Sequence, residues 1–276
     1  MKILLIAPHQ DDEILAAGGL LQKCIKKGDH ITILFATNGD YRGKKIAHKR
    51  YYESKDALGY LGIPEEAIFY LGYGDTGMNY SHSFLRKMLF SEDDRLLTSH
   101  VSSMTYHPSG RKTVHAIKSG VESSLTKKTF LEDLEWFIEH HFPDIIIVSD
   151  SLDMHGDHSS IIDLLQKTNI FYKIPLCLTY IIHGGDDLSW PQRNSITFAC
   201  PPSIPLEKWE KRFSIPLTMQ EQICKHNAIA LFTTQLKEDD NNFLLSFSKQ
   251  EEFFFLFREN KFNRQKICSH FEYKEI

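Results

Sequence analysis

Two short stretches of this chain gather imidazoles and carboxylates. The first is Pro8-His9-Gln10-Asp11-Asp12-Glu13, one histidine and three carboxylates within five positions. Acidic groups packed this closely repel one another unless water or a cation neutralises them. Imidazole together with carboxylate oxygen is a donor set that suits zinc. An acidic triplet alone also fits a plain helix N-terminus, where it complements the macrodipole. That explanation leaves His9 without a role, and it leaves the second cluster unexplained. The second cluster is Asp150, Asp153, His155, Asp157 and His158, with His155-Gly156-Asp157-His158 at its core. Two histidines three apart around a carboxylate can supply one metal ligand and one separate acid/base group. Asp157 equally suits the N-cap of a following helix, and both roles are compatible. Asp153 reads as a solvated loop residue. Together the clusters suggest three protein ligands and one open position, the pattern of catalytic rather than structural zinc.

The elements that must position them are legible as alternating periods. Ile3–Ala7 is a continuously apolar run, as a parallel strand covered on both faces requires. Asp12–Lys27 carries Ile14, Leu15, Gly18, Leu21 and Ile25 at helical spacing, with Gly28 as a stop. Ile31–Thr37 predicts a second strand, Lys45–Leu61 a second helix and Ile68–Leu71 a third strand. Residues 72–126 lack a clear period and read as a long excursion that shapes a substrate mouth. Phe130–His141 predicts a helix, Ile145–Val148 a strand, His158–Gln166 a helix and Leu178–Ile182 a strand. Thr218–Phe232 reads as a helix, and Phe253, Phe254 and Phe255 as a late strand. The alternation predicts an α/β fold: a Rossmann-like, doubly wound, mostly parallel sheet, one domain over residues 1–276 with a C-terminal extension. Both clusters then follow strands, at the carboxyl edge where such sheets bind ligands.

Bulk properties narrow the function. A length of 276 residues, 42% hydrophobic and 25% charged, is ordinary for a globular protein with a sizeable core. The formal net charge of -4 argues against nucleic acid as the main partner. Five cysteines with no CxxC pair argue against a disulfide framework or thiolate zinc knuckle and favour a reducing compartment. The apolar start meets Pro8 and the acidic cluster too soon for a signal peptide, and no run reaches membrane-spanning length. A cytoplasmic protein is expected, and a homo-oligomer is compatible with the sequence. His183, near Trp190-Pro191, could face the site, but a lone histidine after a strand is more often structural.

The strand followed by PHQDDE, the Gly18-Gly19 pair on the first helix and the later HGDH resemble the LmbE/PIG-L family of zinc-dependent N-deacetylases. Thr37-Asn38-Gly39-Asp40, Arg50-Tyr51-Tyr52-Glu53, Leu71-Gly72-Tyr73-Gly74-Asp75 and Lys225, Ala228 and Thr234-Gln235 are similar to further segments of that family. Family members usually carry Pro where this chain has Gln10, a change expected to be mild. The resemblance implies His9, Asp12 and His158 as zinc ligands and Asp11 as general base. It implies His155 as the oxyanion-stabilising group, protonated, with Asp157 as its orienting partner. Asp40, Arg50 and Asp75 are the implied substrate-contacting or pocket-orienting residues. The implied activity is removal of an N-acetyl group from an N-acetylglucosamine-type sugar or conjugate. The competing expectations are a zinc amidase acting on a thiol-sugar conjugate and a non-catalytic sugar-binding module. The second fits poorly, because base and ligand positions are all filled. A nucleotide-binding module fits poorly too: three carboxylates stand where a G-x-G-x-x-G loop would receive a pyrophosphate.

Overall fold

The computed structural model describes residues 1–77, 79–185, 189–237, 242–259, 270–271 and 274–275. β1 (Lys2–Ala7) lies within the sheet, paired in parallel with β2 (His30–Thr37) on one side and β4 (Ile145–Ser149) on the other. β3 (Ile68–Tyr73) adds in parallel beyond β2, and β5 (Leu176–Tyr180) beyond β4. The order β3-β2-β1-β4-β5 reverses direction between β1 and β4. Their carboxyl ends therefore flank the crevice in which such sheets bind ligands. Both predicted clusters leave the sheet at that crevice.

The parallel part matches the sequence expectation, whereas the extension is antiparallel. β7 (Glu251–Glu259) pairs with β5, β6 (Phe213–Pro216) with β7, and β8 (Lys274–Glu275) with β6. The phenylalanine-rich tail is thus a strand, as its β-forming composition predicts. β6 was not anticipated: four residues ending in Pro216 carry too little alternation to read.

Side chains of β1 alternate between two cores. Ile3, Leu5 and Ala7 join the cluster formed with α1 (Asp12–Lys26) and α2 (Lys44–Tyr60). Leu4 and Ile6 face the opposite cluster, with Met88 of α3 (Phe84–Leu89), Val114 of α4 (Val114–Ser119), Phe137 of α5 (Lys127–His141) and Ile161 of α6 (Gly156–Gln166). α3, α4 and two isolated bridges, Leu97–Leu125 and Met104–Ser124, are the order within the unread excursion. α7 (Leu206–Trp209) precedes β6. The predicted 218–232 helix is α8 (Met219–Ile229), which stops three residues short, and a separate short helix, α9 (Thr233–Leu236), follows after Phe232, whose φ, ψ of -79°, 61° are non-helical.

Helix α1 runs unbroken from Asp12 to Lys26 and is clasped along its length by a buried ion pair. The Glu252 carboxylate on β7 accepts the Gly19 and Leu20 amides, both at 2.7 Å. Lys225 Nζ on α8 donates to the Leu15 carbonyl at 2.8 Å and to Glu252 Oε1 at 2.7 Å. These are backbone groups that a helix also pairs one turn apart. The Gly18-Gly19 pair makes room for this: a Cβ on Gly19 would stand 2.4 Å from the Leu217 side chain.

No helix among the described residues is long and apolar enough to cross a membrane. Cys24, Cys177, Cys200 and Cys224 are free thiols, and Cys268 lies outside the described residues.

Candidate metal centre and active-site cleft

Chain geometry at the end of β1 aims the first cluster. The Pro8 carbonyl is tied to β2, accepting the Thr37 amide at 3.1 Å and the Thr37 hydroxyl at 2.8 Å. Asp11 then adopts φ 116°, a conformation that disfavours any residue with a Cβ. Glu13, wholly buried, braces it. Its Oε2 accepts the Asp11 amide at 2.9 Å while Oε1 accepts the Ser54 hydroxyl at 2.7 Å. Strain held in this way characterises functional sites.

Three donor atoms from the two clusters form a small triangle. His158 Nε2 lies 3.2 Å from His9 Nδ1 and 3.2 Å from Asp12 Oδ2, and His9 Nδ1 lies 3.5 Å from Asp12 Oδ2. Zinc bonds of about 2.0–2.2 Å in tetrahedral geometry separate neighbouring donors by roughly 3.3–3.6 Å. The triangle therefore fits one tetrahedral cation. All three residues are buried, with His9 the most accessible at 5%. The ligating atoms of His9, His155 and His158 also converge within 4.8 Å, as do those of His9, Asp75 and Asp157. The triangle containing Asp12 has all three edges between 3.2 and 3.5 Å, close to those of a single coordination shell.

The outer nitrogens of the two imidazoles meet carboxylates. His9 Nε2 is 3.1 Å from Asp157 Oδ2 and 3.9 Å from Asp75 Oδ1. His158 Nδ1 is 3.4 Å from Asp153 Oδ2, in ion-pair range. Such partners set the tautomer and aim of metal-binding histidines.

Four expectations are corrected here. The Asp157 carboxylate does not orient His155; it takes His9 Nε2 and the Leu85 amide, the latter at 2.7 Å. Nor does Asp157 cap α6. The cap is His155, whose Nδ1 accepts the Asp157 amide at 3.1 Å. His155 is not favoured as an imidazolium. Burial first, then the neighbouring His9, His158 and His183, outweigh the pull of Asp12 toward the charged form and hold its pKa well below the usual histidine value. Asp153 is not a solvated loop residue. It is buried, with Oδ1 accepting the His155 amide and Oδ2 the Ile182 and His183 amides at 2.8 and 3.0 Å.

Asp11 stands beside the triangle with its carboxylate 3.4 Å from Arg50 Nη2. Burial pushes its carboxyl up to about 7, against the pull of Arg50 and with the push of Asp12. Arg50 also donates to the Gln10 carbonyl at 2.7 Å and lies 3.7 Å from Asp75 Oδ2. Arg50 and Asp75 line the cleft. Asp40 stands behind its wall, with Oδ1 accepting the Asp75 amide and Oδ2 the Tyr106 hydroxyl, both at 2.7 Å. Fully buried, it orients Asp75 from behind the cleft wall. The departure at Gln10 is absorbed: its fully buried amide donates to the Thr37 carbonyl at 3.0 Å.

The cleft has a volume of about 550 Å³, within the usual range for small-molecule sites. His183, more often structural in such a place, faces the cleft, its ring 5.2 Å from His155 and stacked at 5.6 Å on Phe243. Tyr41, Asn79, Gln235 and Leu244, which were not anticipated, line it too. Gln235 is carried there by α9, whose Thr234 amide and hydroxyl donate to Glu53.

A Rossmann-like sheet with a histidine–aspartate triangle at its switch point defines a metal-site α/β protein. The chain belongs to the PIG-L family: the family profile, GlcNAc-PI de-N-acetylase, matches residues 4–168. It is 28% identical over 95 residues to the diacetylchitobiose deacetylase of Thermococcus kodakarensis. That stretch covers 32% of this chain and 35% of the relative, so the match spans about a third of the curated relative's length. Among solved structures, the zinc-inhibited form of teicoplanin deacetylase Orf2 superposes with a TM-score of 0.57 at 14% identity, covering 93% of this chain and 97% of that one. N,N'-diacetylchitobiose deacetylase from Pyrococcus horikoshii gives 0.53 at 16% identity, over 92% and 83%. At these identities the structural likeness establishes the fold.

Proposed function

We propose that the chain is a zinc-dependent hydrolase that removes the N-acetyl group from an N-acetylglucosamine-type sugar or its conjugate. The observation that carries this reading is the buried triangle of His9, Asp12 and His158, open to a cleft that also holds Asp11. Family membership and deacetylase relatives support it. His9, Asp12 and His158 would hold the metal. When bound, zinc polarises an amide carbonyl and lowers the pKa of water to about 7.

The chain's own groups supply the proton chemistry. Asp11, excluded from the triangle and braced by Arg50, takes the proton from the attacking water. His155 serves as a neutral donor. Its Nδ1 accepts the Asp157 amide, so its proton sits on Nε2, the only ring nitrogen left to reach a ligand. That N–H meets the oxyanion as the carbonyl carbon becomes tetrahedral. The Asp11 proton then passes to the departing amine, and acetate and the free amino sugar result. Loss of the His155 donor should lower kcat by about 10²–10³. Arg50 and Asp75 would meet sugar hydroxyls, with Asp40 holding Asp75 in place. The four unpaired cysteines are consistent with our placing the protein in the cytoplasm.

The test is zinc quantification coupled to acetate release from N-acetylglucosamine derivatives. Asp11→Asn should retain stoichiometric zinc and lose most turnover. His158→Ala should lose zinc first. Loss of zinc from Asp11→Asn, with zinc retained in Asp12→Asn, would exchange the two aspartates' roles. Acetate release that persists in fully metal-free protein would end the proposal.

A further inference from the structure

In the loop after β2, Tyr41 occupies an unusual setting. Asp40, immediately before it, is locked by the Asp75 amide and the Tyr106 hydroxyl. The Tyr41 carbonyl lies 2.7 Å from His100 Nε2, and the two rings meet edge to face at 6.1 Å and 77°. On another side the Gly77 backbone approaches so closely that a Cβ there would stand 2.8 Å from the Tyr41 ring. The ring is fixed from two directions. Even so it remains 56% exposed and lines the cleft.

Exposed aromatic residues scattered singly on a surface are ordinary and signify nothing by themselves. Here the bracing and the location carry the argument. A flexible exposed ring would lose entropy on contacting a ligand; a fixed one has already lost it. Tyr41 shares its part of the wall with Asp75, Arg50 and Asn79, which offer carboxylate, guanidinium and amide groups. Past His155 the wall changes to His183 stacked on Phe243, with Ile182 and Leu244. A pyranose ring has an apolar C–H face bordered by hydroxyls. An aromatic face is electron-rich and attracts C–H groups, while hydroxyls need polar partners around it. The Tyr41 side of the cleft offers both, with an exposed ring beside carboxylate, guanidinium and amide groups.

We propose that Tyr41 is a stacking platform that binds a pyranose ring of the substrate on the Asp75 side of the cleft. It acts through binding and takes no part in proton transfer. The inference rests on the amino-sugar reading of the site and refines it by assigning the side on which the sugar lies.

Zinc-loaded wild-type protein, Tyr41→Ala and Tyr41→Phe would be assayed for acetate release from N,N'-diacetylchitobiose. Each would also be titrated calorimetrically with chitobiose, which needs no turnover. Tyr41→Ala should raise KM and weaken chitobiose binding about ten-fold with kcat nearly unchanged, the signature of lost uniform binding. Tyr41→Phe should restore both, since it keeps the ring. Equal chitobiose binding by wild type and Tyr41→Ala overturns the platform, as does equal loss in Tyr41→Ala and Tyr41→Phe. If wild type binds chitobiose in a Tyr41-dependent way but releases no acetate, the deacetylase reading fails and the platform stands. If wild type binds no chitobiose, the platform fails, whatever the acetate assay gives.

Discussion

His155 shows how a neighbouring backbone amide can settle a side chain's chemistry. One ring nitrogen is spent on capping α6, and the other is thereby made a donor. HGDH spacing alone does not reveal this, because a histidine N-cap is not among the usual capping residues. The partners of His9 and His158 were equally hidden. Asp157 reaches His9 across 148 positions, and Asp153 reaches His158 only because the turn before α6 folds it beneath the site. Residue identity marked two clusters of donor types, and only the family resemblance singled out His9, Asp12 and His158, whose donor atoms the fold brings together. Asp153 also accepts three backbone amides from the two loops that flank the cleft. Asp153→Asn should therefore weaken zinc affinity about 10–100-fold while leaving the ligands in place. Competition with a chromophoric chelator measures this, and an unchanged zinc constant would remove Asp153 from the metal's support.

At the scale of elements, strong periods were legible and weak ones were not. β1, β4, α1 and α5 declared themselves through uniform apolar runs or helical stripes, which burial on both faces or one face demands. The excursion between β3 and α5 was not legible because much of its order comes from side chains tied to backbone or to each other. The Glu122 carboxylate, for example, accepts the Thr105 and Thr113 hydroxyls, both at 2.6 Å. The Gly18-Gly19 pair was visible as a motif, but its reason was not: it admits Lys225 and Leu217 against the helix. Lys225→Met would leave Glu252 buried without its counter-charge. Removing one partner of such a pair costs about 3–5 kcal/mol. Urea unfolding should show that loss, and adding Glu252→Gln to the same chain should recover part of it. A neutral single variant would mean that the amides alone satisfy Glu252.

Across the whole molecule, the extension is bound to the parallel half by charge as well as by the sheet. Glu221 on α8 accepts from Lys23 at 2.9 Å and Lys26 at 3.1 Å on α1, and from the Thr218 amide at 2.9 Å. Burial would push its carboxyl up, but the Thr218 amide and the two lysines outweigh burial and bring it from 4.5 to about 2. A depressed carboxylate stabilises the fold fully above its unfolded pKa, and that stability is lost as pH falls through the folded value. Glu221→Gln keeps an acceptor for the Thr218 amide but loses the charge facing Lys23 and Lys26, so it should be destabilised relative to wild type at pH 7 by roughly 0.5–1 kcal/mol. The gap should close between pH 4.5 and about 2. Denaturant titrations at pH 7 and pH 3 compare the two, and a gap that widens in acid would refute the assignment. The antiparallel attachment of this extension was not legible, since strand direction is fixed by long-range pairing and not by local composition.

The clasp on α1 also bears on the order in which the protein takes shape on a ribosome. Glu252 follows Gly19 by 233 positions, so at roughly 5–20 residues per second a nascent α1 waits on the order of ten to fifty seconds for its clasp. During that interval nothing yet made competes for the Leu15, Gly19 and Leu20 backbone groups, and the young helix is free to close its own ladder. The arrival of β7 then brings Glu252 onto the Gly19 and Leu20 amides of the helix whose first turn bears Asp12.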